Sequence, residues 1–378
     1  IRALAIRNLA NLCSTRPKLF NSSHVLSVFD HVFEKESYQV KTMVLNSFYL
    51  FFTREEQKIL KKAGVNGTVS SDLNFKQKMA GSNEKHEKFN DGVCSALVTR
   101  YLKQVLKLCL CEDPAVSTGA IKFLSMIDSY RYANPSHYIH CLIALLINQS
   151  AVCRKWTEKM ILDVLNNFEA MVFSGLVSGL MCAIQYNKSL RIPVDENFLN
   201  KLQTIVGTTK SNRARIATSI TKCFQMFFES REDKSELSYY GCLFLCYNLI
   251  KAQYEDKYSL YKLMKMIDVY IQKLDEQIEI FEDSDKDEID IDTQFNTIME
   301  QNILLEFRTC MFKNYVMNED TLFIIGTDDE NELKNTPVSV STSPLSFDFG
   351  SVCYNFDPNS QKESIIEKFW TIRDSFSS

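Results

Sequence analysis

The stretch Val116-Ser-Thr-Gly-Ala120-Ile-Lys-Phe-Leu124 sets an aliphatic residue, then a small one four positions on, then an apolar one four further on. That spacing puts all three on one face of a helix and leaves room for a neighbouring helix to approach closely. The same pattern occurs at Ile1-Ala5-Leu9, at Val40-Val44-Phe48 and at Val152-Trp156-Met160. The starting points lie 39, 76 and 36 residues apart, and 76 is two periods of 38. A two-helix unit of that period is the signature of HEAT or armadillo-type repeats, whereas tetratricopeptide repeats run at about 34 residues with a Trp/Gly/Tyr pattern absent from this chain. The reading is an all-α HEAT-repeat solenoid in which each hairpin hides one face only by stacking on the next. An irregular helical bundle is the alternative, because imperfect matches of this kind also arise in any Leu-rich helical chain.

Composition agrees. With only 11 Gly and 7 Pro in 378 residues, the turns that a sandwich or a doubly wound sheet needs every ten residues or so are lacking. The longest apolar stretch, Ala170 to Ile184, carries two serines and two glycines and falls short of the roughly 20 residues that span a bilayer. No membrane association is expected. The 12 Cys sit among Leu, Ile and Phe without a CxxC pair, as in Leu108-Cys-Leu-Cys111, which reads as reduced core thiols in cytosol or nucleus. The chain opens at Ile1 inside a helical pattern, without an initiator Met or signal peptide, and is expected to be a fragment.

Periodicity places HEAT repeats over 1–62 and 93–282, separated by a Gly-rich polar insertion loop, 63–92. An acidic loop, 283–292, precedes a terminal helical cap, 293–325, and a flexible, partly disordered tail, 326–378. A short docking helix is expected in that tail around Ile365, Ile366, Phe369 and Ile372. Thr336-Pro337 and Ser343-Pro344 in the tail offer proline-directed phosphorylation sites. Charge is divided as well. Residues 1–232 hold 30 Lys and Arg against 19 Asp and Glu, net +11, and residues 233–378 hold 13 against 28, net −15, together the −4 of the whole. One part suits a polyanion and the other repels one.

Enzymatic chemistry finds little support. There is no GxxxxGK[ST] loop, and Gly175-Leu-Val-Ser-Gly179 sets its serine one step too late for a nucleophile elbow, which favours a tight seam between helices. His137, His140 and Cys141 form a conceivable zinc corner without a second ligand pair. Asp283, Asp285 and Asp287 match the start of a calcium loop, but Glu288 stands where its Gly belongs and Gln294 where its bidentate Glu belongs. No cofactor is expected. What remains is charge displayed on helices. Arg100, Lys103 and Lys107 fall at i, i+3 and i+7, opposite Leu97, Tyr101, Val105 and Leu108. Lys58, Lys61 and Lys62 end another helix, Arg154, Lys155 and Lys159 begin one, and Lys210, Arg213 and Arg215 open a later one. Spaced along a solenoid, such groups could follow a phosphate backbone without reading bases, whereas each taken singly is equally a solvated helix face.

Specific strings then point further. Arg100-Tyr-Leu-Lys-Gln-Val-Leu106, Ala120-Ile-Lys-Phe-Leu124, Asn134-Pro135, Tyr138-Ile-His-Cys-Leu-Ile-Ala-Leu145, Arg154-Lys155 and Gly179-Leu-Met-Cys-Ala-Ile-Gln-Tyr186 resemble, in order and spacing, the carboxy-terminal half of the Nipped-B/adherin family of cohesin loaders. Phe52-Thr-Arg-Glu-Glu-Gln57, Ser211-Asn-Arg-Ala-Arg215 and Cys246-Tyr-Asn-Leu-Ile250 extend the resemblance to about residues 1–275. It departs at Tyr132-Ala133 and at Val116-Ser117, a divergence that points to a yeast-like lineage. The resemblance implies a hook-shaped HEAT solenoid, nuclear and chromatin-associated, that is not itself an enzyme. It implies binding to double-stranded DNA and to the cohesin ring through its ATPase heads and kleisin, loading of the ring, and stimulation of its ATP hydrolysis. A small TPR-type loader partner would bind a missing amino-terminal part. The DNA-facing residues expected on this reading are Lys58, Lys61, Lys62, Arg100, Lys103, Lys107, Arg213 and Arg215. A HEAT scaffold or nuclear transport receptor that binds only proteins is the alternative.

Overall fold

The computed structural model describes residues 1–62, 91–229, 237–254, 256–283, 290–326, 330–334, 336–347 and 362–377. The expected insertion loop lies outside the described residues except for 91 and 92, and so does most of the acidic loop, including Asp285, Asp287 and Glu288 of the calcium-loop test. Among the described residues there is no strand, and the fold is an all-α stack of helices. Two compact units divide the chain, Ile1–Ala183 and Ile184–Ser378.

The first unit holds α1 (Arg2–Thr15), α2 (Ser23–Lys35), α3 (Tyr38–Lys62), α4 (Asp91–Cys109), α5 (Pro114–Ser129), the short α6 (Ile139–Ala144), α7 (Ala151–Ser174) and the start of α8 (Leu176–Ser189). Starts are written in the sequence. Asp113 accepts the amides of Ala115 at 2.8 Å and Val116 at 3.4 Å, with Pro114 at the first helical position, and Ser150 accepts that of Cys153 at 3.3 Å. The sequence reads one helix over 135–148, but the structure breaks it into two 3-10 turns flanking α6. Pro135 starts the first turn, and from Ile139 to Ile147 every residue but the half-buried His140 is buried, so packing rather than an amphipathic face decides its path.

The helices that carry the repeated pattern form one row: α1 packs on α3, α3 on α5 and α5 on α7. In α3 and α5 the buried stripes are the expected ones, Val40, Val44 and Phe48, then Val116, Ala120 and Leu124. In α1 and α7 the buried face lies one residue along. Ile6, Ala10 and Cys13 are buried where Ile1-Ala5-Leu9 was expected; in α7 Cys153, Thr157 and Ile161 are buried, and of the expected Val152-Trp156-Met160 only Met160 is, with Val152 exposed and Trp156 half-buried. Thr157 is tolerated inside because its hydroxyl donates to the Cys153 carbonyl at 3.0 Å. Phe48 is the hub of the row. Its ring centroid lies 5.7 Å from those of Phe20 and Phe29, 5.4 Å from Tyr101 and 6.3 Å from Phe123, mostly tilted or edge-on.

The second unit continues from α8 through α9 (Phe198–Val206), α10 (Lys210–Glu229), α11 (Leu237–Ile250), α12 (Lys257–Asp283), α13 (Ile291–Asn314), α14 (Glu330–Leu333) and α15 (Lys362–Ser377). Its centre is α13, which packs on α11, α12 and α15 and buries residues around its whole circumference. The carboxy-terminal helix closes one side, with Ile366 and Trp370 set among Ile278, Phe281, Phe295, Ile298 and Met299. Residues 336–347 run without helix along α13. Asn314 holds them there, its side chain exchanging bonds with the amide and carbonyl of Leu345 at 2.6 and 3.1 Å, and Phe347 is buried 4.7 Å from the Tyr247 ring.

The Gly175–Gly179 stretch is a seam. A Cβ on Gly179 would stand 2.6–2.9 Å from three atoms of Ile143, whereas a Cβ on Gly119, in the middle of α5, would meet nothing within 4 Å. Gly179→Ala should therefore destabilise by about 1–3 kcal/mol through overpacking, while Gly119→Ala should stabilise by about 0.5–1 kcal/mol through helix propensity. Urea unfolding of the two variants would show opposite shifts in midpoint. Phe48→Ala removes the hub and should cost about 3–5 kcal/mol in the same measurement.

Candidate nucleic-acid interface

Helix α4 is amphipathic as its sequence reads. Leu97, Tyr101, Val105 and Leu108 are buried, with the Tyr101 hydroxyl donating to the Leu26 carbonyl at 3.3 Å, and the opposite face presents Arg100, Lys103 and Lys107 to solvent. The three cations differ in their partners. Arg100 is clamped in bidentate fashion to Asp30 of α2: Nε donates to Oδ1 at 2.9 Å and Nη2 to Oδ2. That hydrogen bond holds the Asp30 carboxyl below its ordinary pKa and raises that of the guanidinium, so the charge of Arg100 is matched by its neighbour. Lys103 and Lys107 are exposed and enter no ion pair among the described residues.

Lys58 behaves like Arg100. Its Nζ lies 2.5 Å from Glu55, whose side chain is only 1% exposed, so this lysine compensates a buried carboxylate from the surface. Lys61 and Lys62 belong to the last turn of α3, and their side chains lie outside the described residues. Arg213 is a fastener too: Nη1 donates to the Gly207 carbonyl at 2.9 Å, across the turn from α9 to α10. Arg154 repeats that device at the start of α7, with Nη1 donating to the carbonyls of Asn148 at 2.6 Å and Gln149 at 3.0 Å. In each case an arginine in the opening turn reaches back six residues to a carbonyl left open before the helix. Arg215 is exposed on α10 in the second unit, and Lys122, Lys155 and Lys159 are exposed on α5 and α7 in the first.

The zinc corner does not converge. His137 is exposed, while His140 is half-buried and burial lowers its pKa. Cys141 is fully buried, and its thiol is pushed well up in pKa by a hydrogen bond with Cys109 and by desolvation, which opposes the thiolate form a metal needs. Among the described residues no three His, Cys, Asp or Glu side chains stand together as a metal site.

Sequence reasoning missed four buried asparagines that fix these elements. Asn148 donates to the Ser117 hydroxyl at 3.1 Å and accepts the Ser150 amide at 2.9 Å, which ties α5 to the cap of α7. Asn187 donates to the Tyr240 hydroxyl at 2.7 Å and accepts the Asp195 amide at 3.2 Å. Asn248 accepts the Leu199 amide at 2.9 Å near the start of α9, and Asn314 fastens residues 336–347 to α13. The available signal was an amide side chain set within or just after an apolar helical run.

The chain has counterparts among known proteins. Residues 94–270 match the family model described as "Sister chromatid cohesion C-terminus". The chain is 32% identical over 381 aligned positions to "Sister chromatid cohesion protein 2" of Saccharomyces cerevisiae, an alignment covering 98% of this chain and 25% of that protein. Its fold is similar, at a TM-score of 0.63 and 14% identity, to the solved C-terminal fragment of a Chaetomium thermophilum cohesin loader, over 88% of this chain and 24% of that one. The chain thus spans about a quarter of the length of each. Periodic helices, the strings along α4 to α8 and these matches lead to one conclusion: residues 94–270 carry the carboxy-terminal region of the Nipped-B sister chromatid cohesion family, and the chain around them is similar to the same part of these relatives.

Proposed function

We propose that the chain is a non-enzymatic section of a cohesin-loading scaffold that acts on chromatin in the nucleus. It holds double-stranded DNA without sequence preference, contacts the ATPase heads and kleisin of the cohesin ring, and favours loading and ATP hydrolysis by the ring. The TPR-type partner binds a region beyond this chain. The observation that carries the DNA-binding part is the outer face of α4, where Lys103 and Lys107 stand one helical turn apart with no carboxylate on them among the described residues. Lys61, Lys62 and Arg215 extend the proposal. Lys58, Arg100 and Arg213 enter it as positioning groups, each committed to a protein acceptor.

That same commitment favours the second reading, a scaffold that binds only proteins. A salt titration of binding to random-sequence duplex DNA separates the two. Lys103→Gln with Lys107→Gln should weaken binding and reduce the magnitude of the slope of log K against log salt by about 2, near 0.9 for each phosphate no longer neutralised. Arg100→Gln should leave that slope nearly unchanged and lower stability by about 0.2–1 kcal/mol, as expected of an exposed ion pair. An unaltered slope in the lysine variant removes α4 from the DNA interface, and no measurable DNA binding by the chain favours the protein-only scaffold.

A further inference from the structure

Within the second unit, α9, α10, the end of α11 and the start of α12 enclose a cavity of about 280 Å³. Its walls are apolar, from Leu199 and Leu249 on one side and Leu263 and Met266 on the other. Its α10 wall is made of small side chains, Ala214, Ala217 and Thr218, which are exposed and leave the space open. The rim is cationic. Lys210, Arg213 and Lys262 line it against one carboxylate, Asp256, which already accepts the Ser259 amide at 2.8 Å and lies 3.9 Å from Lys210. Lys262 is exposed, its Nζ 5.8 Å above the Tyr258 ring.

We propose that this cavity is a docking pocket for an acidic peptide segment of a protein partner, which seats one or two apolar side chains between α10 and α12 and pairs its carboxylates with Lys210 and Lys262. Size and charge both favour that occupant. The volume is at the lower edge of the ~300–1,000 Å³ typical of small-ligand sites and accommodates a side chain or two. With Lys210 loosely matched by Asp256 at 3.9 Å, the lining keeps an excess of positive charge from Arg213 and Lys262 that favours a negatively charged guest and opposes a basic one. A duplex is the poorer fit, because its rigid, convex, polar backbone cannot enter a concave apolar site, whose burial is rewarded only by apolar atoms.

The test uses the whole chain and a fluorescein-labelled nine-residue peptide of glutamates with Leu and Phe three positions apart. Saturable binding is expected, falling at least tenfold when Lys210→Glu and Lys262→Glu are combined, and at least tenfold when the peptide's Leu and Phe become Ala. Ala217→Trp should fill the pocket and abolish binding without changing the thermal midpoint. Should that variant fail to fold, hydrogen exchange on the unsubstituted chain decides, with peptide expected to protect amides in 210–221 and 257–266. Equal binding of the Ala peptide, no loss in the double Lys variant, no binding at all, or protection of those amides by duplex DNA instead of peptide would each overturn the proposal.

Discussion

A helical hairpin covers one of its faces only if another hairpin lies on it, and residues 1–174 meet that demand with a single row of helices, α1, α3, α5 and α7. Close approach within the row relies on small buried groups, Ala10, Ser47, Ser117, Ala120 and Thr157, and the remaining space is filled by aromatic rings gathered on Phe48. Both are needed. Small residues alone would leave voids, and large residues alone would separate the helices and expose backbone at every turn. The face of α4 that carries Lys103 and Lys107 is presented to solvent because Tyr101 is drawn inward against Phe33 and Phe48, at 5.1 and 5.4 Å.

Helix rows leave open polar groups at each junction, and this chain closes them with two kinds of side chain. Buried asparagines supply a donor and an acceptor together at the end of a longer side chain, so Asn148, Asn187, Asn248 and Asn314 can each bridge two segments. Arginines close carbonyls from the surface, as Arg154 and Arg213 do six residues back. Asp128 shows the same logic with a charge: only 4% exposed, it accepts from Arg131 at 2.7 Å and from the Tyr138 hydroxyl at 2.5 Å, and it raises the pKa of nearby Asp163, which burial already pushes up. Its burial is tolerated because both donors, from the segment between α5 and α6, satisfy its oxygen.

Much of the fold was legible in the sequence, since a stripe such as Val40, Val44 and Phe48 has one strongly apolar face and no competitor. Where two neighbouring faces are nearly equal, periodicity loses its phase. Helix α1 offers Ile1-Ala5-Leu9 and, one step along, Ile6 and Ala10, and α7 offers Val152 and Trp156 beside Cys153 and Thr157. One residue is about 100° of rotation, and the choice depends on what the adjacent helix presents. The basic groups were legible as charges but not as partners. Asp30 lies 70 residues from Arg100, and no local pattern announces a pairing made by stacking. Glu55 is within three residues of Lys58, yet only its burial shows that the lysine serves it.

Those partners change what a positive residue does at a distance. Arg100 with Asp30 amounts to a dipole, whose field fades within a few ångströms, whereas Lys103 and Lys107 keep a net charge that reaches a polyanion across a Debye length of about 8 Å. The excess of +11 over residues 1–232 is therefore no map of attraction. The chemistry of the two cations explains the division. A guanidinium is a planar fork that matches a carboxylate or a pair of carbonyls, and Arg100, Arg131, Arg154, Arg213 and Arg308 are all spent on such acceptors. An ammonium is compact and strongly hydrated; Lys265 and Lys362 still close junctions, on the Ile325 carbonyl and on Asp292, but Lys103, Lys107, Lys122 and Lys155 stay on open faces. In a helical stack of this kind the partner a cation already has, more than its count in the sequence, indicates where an anion would be met.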